Sequence, residues 1–257
     1  MDTKMKAKIK KSLALIEKEH DIKILYAVES GSRAWGFPSE DSDYDVRFIY
    51  VHTKEWYLSI APKRDVIEYP IDDELDISGW DLQKALKLLR KSNPSLIEWL
   101  NSSIIYLETG DLASQLRTLA QTHVSQKQLM YHYYHMARGN FRDYLQGEHV
   151  KIKKYFYVLR PVLACLWLEK YQEAPPVLFD QLLTLPDLDS ELIAEVKVLL
   201  IRKKRGDELD LENQNPILNQ FIEEQLTQLE VILKSEKDQP SMLSYALLDE
   251  LFTKYML

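Results

Sequence analysis

The sequence is short of several features that would assign it to a specialised class of protein. It contains one cysteine, Cys165, so it cannot form an intramolecular disulfide, and a lone thiol is typical of a reducing, cytoplasmic setting. No apolar run approaches the roughly 20 residues that span a bilayer. The N-terminus is basic and then amphipathic, without the pure apolar stretch of a signal peptide. We therefore expect a cytoplasmic protein that makes no use of a membrane.

An excess of positive charge is also missing. The net charge is -7, from 33 lysines and arginines against 40 aspartates and glutamates. Proteins that bind duplex nucleic acid broadly usually carry a basic surface, so any contact with a polyanion must be local. With 46% hydrophobic and 28% charged residues among 257, the composition is that of an ordinary globular chain with one or two domains.

The first 110 residues alternate between helical and strand patterns. Apolar residues recur every two positions in the strands and every three or four in the helices. The predicted elements are a helix over 4–18, a buried strand ending at Glu29, a strand over 43–51, a hairpin of strands 66–69 and 74–78 around a turn at 70–73, a helix from Trp80 to the residues before Asn93-Pro94, a second helix over 95–100 and a strand over 103–108.

After about Gly110 we find no convincing strand pattern. Helical patterns cover residues 111–122, 125–145, 153–171, 190–204, 216–234 and 241–255. The fold class is therefore predicted to be α+β, with an α+β domain over residues 1–110 and an all-helical domain over residues 111–257.

A tight turn follows the first predicted strand. Gly31 and Ser32 lead from that strand into a short helix, and a glycine there lets the backbone approach a ligand closely. The amide groups at a helix N-terminus favour phosphate. Ser32 adds a hydroxyl donor and Arg33 a positive charge. This pattern predicts that Gly31, Ser32 and Arg33 bind phosphate groups.

Two carboxylates stand ten residues after this turn. Asp43 and Asp45 are two positions apart on a predicted strand, so their side chains share one face. Two adjacent anions are costly without a cation between them. Carboxylate oxygens suit Mg²⁺ or Mn²⁺, which bind one or two carboxylates together with substrate phosphates.

A third carboxylate must come from a neighbouring strand, and Asp76 lies at the centre of the polar face of strand 74–78. Three carboxylates on two strands can hold two metal ions, and one of them can accept a proton from an attacking hydroxyl. The other acids nearby are assigned different places: turn positions for Asp72 and Asp73, and the first turn of the next helix for Asp81.

The helical half carries one stripe of interest. Lys153, Tyr157 and Arg160 are spaced four and three apart on one helix face, with Lys154 beside them. Such a stripe can grip a triphosphate and stack a base, although it can also be a solvated face packed around one tyrosine. Pro161 is expected to bend this helix or to start a new one.

The ordered motifs GSRAWGF, SDYDVRFIY, ISGWDL, KSNPSLIEWL and KKYFYVLRP span roughly residues 24 to 168. Together they resemble the DNA polymerase β nucleotidyltransferase superfamily, and most closely the predicted nucleotidyltransferases associated with RNA-repair ligases. The resemblance implies a polymerase β-like core, metal-assisted nucleotidyl transfer and a helical domain that helps to hold the nucleotide. It places Asp43, Asp45 and Asp76 at the catalytic and metal positions, with Ser42 beside the nucleotide.

We therefore predict transfer of a nucleoside monophosphate from a nucleoside triphosphate to an acceptor hydroxyl, on an RNA end or a small molecule, with release of pyrophosphate. Two alternatives stay open. The acceptor can be a protein side chain, or the chain can be a nucleotide-binding or antitoxin-like module with little chemistry, although intact acids at all three positions argue against the latter.

Several other residues have two interpretations each. Glu29 is either a further acid of the site or a strand-end residue, and Arg47 either pairs with the acids or touches substrate. Lys91 and Asn93 either cap helix ends or have a role in the site. His132 and His135 have a spacing that zinc can use, but no third ligand stands near them in the sequence.

Overall fold

The chain folds into α-helices, a five-stranded mixed β-sheet and a two-stranded antiparallel sheet, as a computed structural model of residues 3–70, 74–206, 211–235 and 243–256 shows. The predicted α+β class is confirmed. The elements up to residue 108 are α1 (Thr3–His20), β1 (Ile22–Glu29), α2 (Gly31–Ala34), β2 (Tyr44–His52), α3 (Lys54–Tyr57), β3 (Val66–Glu68), β4 (Leu75–Asp81), α4 (Leu82–Arg90), α5 (Pro94–Asn101) and β5 (Ile105–Glu108).

The remaining described elements are mostly helices. They are α6 (Leu112–His123), α7 (Gln126–Tyr144), β6 (His149–Lys151), α8 (Ile152–Tyr171), α9 (Phe179–Leu182), α10 (Ser190–Lys204), β7 (Leu211–Asn213), α11 (Pro216–Ser235) and α12 (Tyr245–Tyr255). The six predicted helices are all present. Residues 241 and 242 of the last prediction lie outside the described residues, and α12 begins at Tyr245 after the cap Ser244, whose hydroxyl accepts the amide of Leu247.

Two compact units make up the chain, and neither is one continuous stretch. The first contains the described residues within 1–34, 43–124 and 241–257, and the second those within 35–42 and 125–240. The functional division into residues 1–110 and 111–257 stays a prediction. The compact units have other bounds, because α6 and α12 pack in the first unit and the short segment 35–42 packs in the second.

The five-stranded sheet of the first unit has the order β3-β4-β2-β1-β5. Strands β2 and β4 are parallel, while the other neighbouring pairs are antiparallel. Helix α1 places Ile9, Leu13 and Ile16 against one face of this sheet, where they form a core with residues such as Val46 and Phe48. The alternation of buried and half-buried residues at the start of β2 follows from this packing.

Strand β4 is longer than its sequence pattern indicated. Its pairing with β2 continues from Leu75 to Asp81, so Asp81 ends the strand and is not in the first turn of a helix. Asp81 instead caps α4 by accepting the amide of Gln83 at 2.8 Å. The turn assigned to Asp72 and Asp73 lies outside the described residues.

The second unit contains a pair of strands that the sequence did not predict. A short antiparallel pair joins β6 and β7, whose three-residue strands are too short to give a visible pattern of alternation. Of the two expectations for Pro161, the start of a new helix is wrong, since α8 runs from Ile152 to Tyr171 with the proline inside it, and a bend at this position stays a prediction. In the described part of the chain, no helix has both the length and the apolar character needed to cross a membrane.

Candidate active site

The parallel pairing of β2 and β4 sets two acids side by side. Asp45 and Asp76 are register partners on these adjacent strands. Both side chains are partly accessible to solvent, with 26% and 29% of their surface exposed. Asp43 directly precedes β2 and is exposed. Residues two apart on an extended segment share a face, so Asp43 and Asp45 point to the same side, and the register pairing adds Asp76 near the N-terminal ends of β2 and β4.

Gly31 is the first residue of α2 and lies against Asp45. Its φ of +59° is in the left-handed region that favours glycine. A Cβ atom at this position would lie 1.9 Å from Oδ2 of Asp45. The amide of the preceding Ser30 donates to the Asp45 carbonyl at 2.8 Å, which ties the turn to β2. The absent side chain of Gly31 therefore makes room for the Asp45 carboxylate, which is a different use from the close approach of a ligand predicted from the sequence.

Arg47 bridges the two central acids. One guanidinium nitrogen, Nη2, donates to Asp45 Oδ1 at 3.0 Å and to Asp76 Oδ2 at 2.7 Å. The other, Nη1, donates to the backbone carbonyls of Asp76 at 2.8 Å and Val46 at 3.1 Å. Of the two interpretations of Arg47, the structure shows the pairing with the acids.

A buried carboxylate, that of Glu29, holds the backbone of β2 at Asp45. Glu29 has no exposed surface, and its Oε1 accepts the backbone amide of Asp45 at 2.8 Å. Its Oε2 accepts the hydroxyl of Tyr106, and its carbonyl accepts the hydroxyl of Ser102 at 2.7 Å. Burial raises the pKa of Glu29 to about 7, against the opposing effect of the Tyr106 hydroxyl. Glu29 is thus a support for Asp45 as well as a strand-end residue.

Tyr106 and Ser102 were missed in the sequence. Tyr106 looked like an ordinary apolar position of β5, and Ser102 like a helix-end residue. The one available signal was an acid at the end of an otherwise buried strand, because a buried carboxylate needs hydrogen-bond donors from elsewhere in the chain.

The electrostatics of Asp45 reflect its crowded surroundings. Burial is the main cause that raises its pKa, and the like charges of Asp76 and Asp43 raise it further. The Arg47 guanidinium acts in the opposite direction. The net effect is a raised pKa, because the burial of the Asp45 carboxyl outweighs the attraction of the guanidinium.

Asp81, the competing candidate for the third acid, is engaged elsewhere. Its side chain is 1% exposed, and its Oδ2 accepts the hydroxyl of Tyr57 at 2.6 Å while Oδ1 caps α4. Asp76 is the acid that β4 brings beside Asp45. This arrangement favours Asp76 over Asp81 as the third carboxylate of the site.

The residues predicted to bind phosphate divide between the two units. Ser32 and Arg33 lie on α2, and Arg33 stacks over the Tyr44 ring at 3.7 Å while its Nε donates to the Asp43 carbonyl at 3.1 Å. Ser42 belongs to segment 35–42 of the second unit, where its hydroxyl accepts the amide of Ser39 at 2.9 Å. The Ser42 hydroxyl is thus part of a local turn.

The stripe on α8 is not uniform. Tyr157 is exposed and Lys153 and Lys154 are half-buried, with the Lys154 ammonium 3.6 Å from the Tyr144 ring centroid. Arg160, in contrast, is 3% exposed, and its guanidinium lies 4.7 Å from the Trp35 ring centroid within the second unit. The predicted nucleotide-binding face therefore contains an exposed tyrosine, two half-buried lysines and, one turn further on, a buried arginine.

The other residues with two interpretations take structural positions. The Asn93 side chain accepts the amide of Leu96 at 3.1 Å and caps α5, while Lys91 is the C-cap residue of α4. The His135 ring lies 4.1 Å from that of Tyr131. Within the described ranges, no three histidine, cysteine, aspartate or glutamate side chains are arranged to hold a metal ion.

Comparison with known proteins identifies the family. Residues 5–254 match the RlaP family, described as the RNA repair pathway DNA polymerase beta family. The chain belongs to this family. It is also 56% identical over 234 residues to Uncharacterized protein YcgL of Bacillus subtilis (strain 168), with 91% of this chain and 89% of that protein covered. The family supports a nucleotidyltransferase-type function.

A solved structure with a related description is a nucleotidyltransferase-like protein from Exiguobacterium sibiricum 255-15. The two chains are 16% identical, with a TM-score of 0.34 over 88% of this chain and 75% of the other.

Proposed function

We propose that this protein transfers a nucleoside monophosphate from a nucleoside triphosphate to an acceptor hydroxyl and releases pyrophosphate. The observation that carries the proposal is the register pairing of Asp45 with Asp76, beside Gly31 and with Asp43 at the start of β2. Within this cluster the like charges of Asp76 and Asp43 add to burial in raising the pKa of Asp45.

The donor set suits a divalent cation by the type of its atoms, since Asp43, Asp45 and Asp76 offer hard carboxylate oxygens of the kind that Mg²⁺ or Mn²⁺ prefers. In this structure Arg47 bridges Asp45 and Asp76, and the three side chains are not arranged around a cation position. A bound cation would stabilise the charge that develops on the phosphate oxygens during transfer. The family and this donor set together support Mg²⁺ or Mn²⁺ as the cofactor of the proposed reaction.

The chain's own residues then have distinct roles. We assign receipt of the proton of the attacking hydroxyl to Asp76, whose carboxylate is partly exposed and is held on one side by Arg47. Ser32 and Arg33 donate to the phosphates from α2. With a single turn, α2 adds little dipole of its own, so these side chains and the backbone amides carry the phosphate contact. The nucleotide contact assigned to Lys153, Lys154, Tyr157 and Arg160 of α8 stays a prediction from the sequence.

The family description supports an RNA end as the acceptor. The net charge of -7 argues against extended contact with long RNA, and is compatible with recognition of an end. A protein side chain as acceptor is the alternative that an acceptor screen separates from this one. The expected cytoplasmic location stays a prediction.

A labelling screen tests the proposal directly. The protein would be incubated with each of the four α-labelled nucleoside triphosphates, Mg²⁺ or Mn²⁺, and RNAs with defined 5′ and 3′ ends or a protein extract. We expect label on an RNA end, and loss of labelling in Asp76→Asn. Asp65→Asn is a matched control, because Asp65 is an acid of the same unit that pairs with Lys84 at 3.0 Å, away from the site.

Each result has a defined meaning. Label on protein but not on RNA would replace the proposed acceptor by a protein side chain. No label with any triphosphate or acceptor, combined with tight nucleotide binding, would favour the non-catalytic nucleotide-binding module. Equal labelling by wild type and Asp76→Asn would remove the acid cluster from the mechanism.

A further inference from the structure

The position of Arg47 between the acids is fixed from the backbone. Its Nη1 donates to the carbonyls of Val46 and Asp76, so half of the guanidinium is held by groups that do not titrate and do not rotate. This anchoring places Nη2 within 3.0 Å of one carboxylate oxygen of Asp45 and within 2.7 Å of one of Asp76. The Arg47 side chain is only 17% exposed, so water screens its charge weakly.

We propose that Arg47 is a resident counter-ion that competes with a free divalent cation for the carboxylates of Asp45 and Asp76. The site would then bind the cation weakly by itself and strongly only together with a triphosphate. This inference rests on the proposed function, since it takes these acids as the cation ligands.

The charges around Arg47 lead to this conclusion. A cation shared by Asp45 and Asp76 would lie close to the place that the guanidinium nitrogen now takes, and the two positive charges would repel each other there. A triphosphate changes this balance, because its negative charges reduce the repulsion between the cation and Arg47. Its phosphate oxygens also add ligands for the cation beside the carboxylates. Cation binding and triphosphate binding would therefore each strengthen the other.

A second possible role for Arg47, the orientation of the carboxylates, predicts the opposite change in cation affinity when the arginine is removed. If the guanidinium served to hold the two carboxylates in the right orientation for a cation, its removal would weaken cation binding. If it competes with the cation, its removal strengthens cation binding. A binding measurement without nucleotide separates the two roles, and it does not depend on catalytic turnover.

The experiment is a titration with Mn²⁺ alone, in which the electron paramagnetic resonance signal of the free ion reports binding. Wild type would be compared with Arg47→Gln and with Lys84→Gln. The control removes one positive charge from the same unit, where Lys84 pairs with Asp65 at 3.0 Å. We expect Arg47→Gln to bind Mn²⁺ about tenfold more tightly than wild type, and Lys84→Gln to match wild type.

Equal or weaker Mn²⁺ binding by Arg47→Gln would overturn the proposal. Should that variant fail to fold, Arg47→Lys keeps the charge but loses the planar fork. If the positive charge is what competes with the cation, the Mn²⁺ affinity of Arg47→Lys should lie within about threefold of that of wild type. An affinity about tenfold lower would show instead that the planar guanidinium orients the carboxylates for the cation, and it would contradict the proposal.

The triphosphate arm separates this inference from the proposed function. Wild type should bind Mn²⁺ more tightly when a nucleoside triphosphate is present. If none of the four triphosphates promotes Mn²⁺ binding and none binds with it, the proposed function itself fails. If Mn²⁺ binds as tightly without triphosphate as with it, only the competing role of Arg47 fails.

Discussion

The contact between Gly31 and Asp45 allows a sharp test of the site. In Gly31→Ala, the new Cβ would lie 1.9 Å from Oδ2 and 2.8 Å from Cγ of Asp45. Strand β2 cannot move away easily, because the Asp45 amide is bound by Glu29 and its carbonyl by Ser30. The carboxylate must therefore swing away by about 1 Å, and a misplacement of that size in a catalytic group costs about 100-fold in rate.

A second cost of Gly31→Ala comes from the backbone. Alanine at a φ of +59° is less stable than glycine by about 1–2 kcal/mol. Gly110 offers a matched control, because its φ is +67° and a Cβ there would meet no atom within 4 Å. Gly110→Ala should thus lose a similar free energy of unfolding while it keeps its activity.

The assays are thermal unfolding for stability and the labelling reaction for activity, with calorimetry of triphosphate binding in Mn²⁺ as a readout that needs no acceptor. We expect both alanine variants to unfold at lower temperature than wild type, and only Gly31→Ala to lose most of its transfer and its Mn²⁺-dependent binding. If Gly31→Ala were as active as Gly110→Ala, the position of the Asp45 carboxylate against the turn would have no part in the reaction.

Three further predictions concern single groups. Asp45→Asn and Asp76→Asn should each abolish most labelling in Mg²⁺, and Asp45→Asn should melt at the same or a higher temperature in scanning calorimetry, because burial and neighbouring acids raise the pKa of Asp45. The folded-state pKa of Glu29 is raised from its usual 4.5 to about 7, so its stabilising contribution is fully present below pH 4.5 and is lost as the pH rises through 7. The melting temperature of wild type should therefore fall across that range, and Glu29→Gln should flatten the profile. Lys154→Ala and Tyr157→Ala should weaken triphosphate binding in calorimetry without a lower melting temperature, because neither residue is buried.

Each of these predictions has a result that contradicts it. Active but unstable asparagine variants would make the acids structural. A profile of melting temperature against pH that is equally steep in wild type and Glu29→Gln would assign the pH dependence to another group. Unchanged triphosphate affinity in both variants of α8 would remove that helix from the nucleotide site, with the exposed Tyr131→Ala of α7 as a control for loss of a surface tyrosine.

The strands and the acids could be predicted because their signals are local. Alternation along β2 places Asp45 and Arg47 on one face, and that periodicity is visible in the sequence. The same reasoning found Asp76 on the polar face of its strand. It could not show that β4 lies parallel to β2 with Asp76 opposite Asp45, because the order of strands depends on the packing of the whole sheet.

Other features depend on contacts between residues that are far apart in the chain. Tyr106 reaches Glu29 across 77 positions, and no local pattern reports such a pairing. The stripe on α8 had the correct helical spacing, but spacing alone cannot tell a solvated face from one covered by another segment. Arg160 is buried because Trp35, from a distant part of the sequence, lies against its guanidinium.

The packing of segment 35–42 in the second unit limits which fragments of the protein can fold and how the protein folds during synthesis. Phe37 is buried in the second unit, where its ring packs 5.0 Å from that of Phe156 and 5.3 Å from that of Phe179. A fragment that ends near residue 124 would leave this ring without its partners, and it would also lack α12, whose Phe252 packs 4.9 Å from Tyr57. Since the first unit includes α12, which follows the second unit in the sequence, it cannot be completed on the ribosome until the whole second unit has been synthesised.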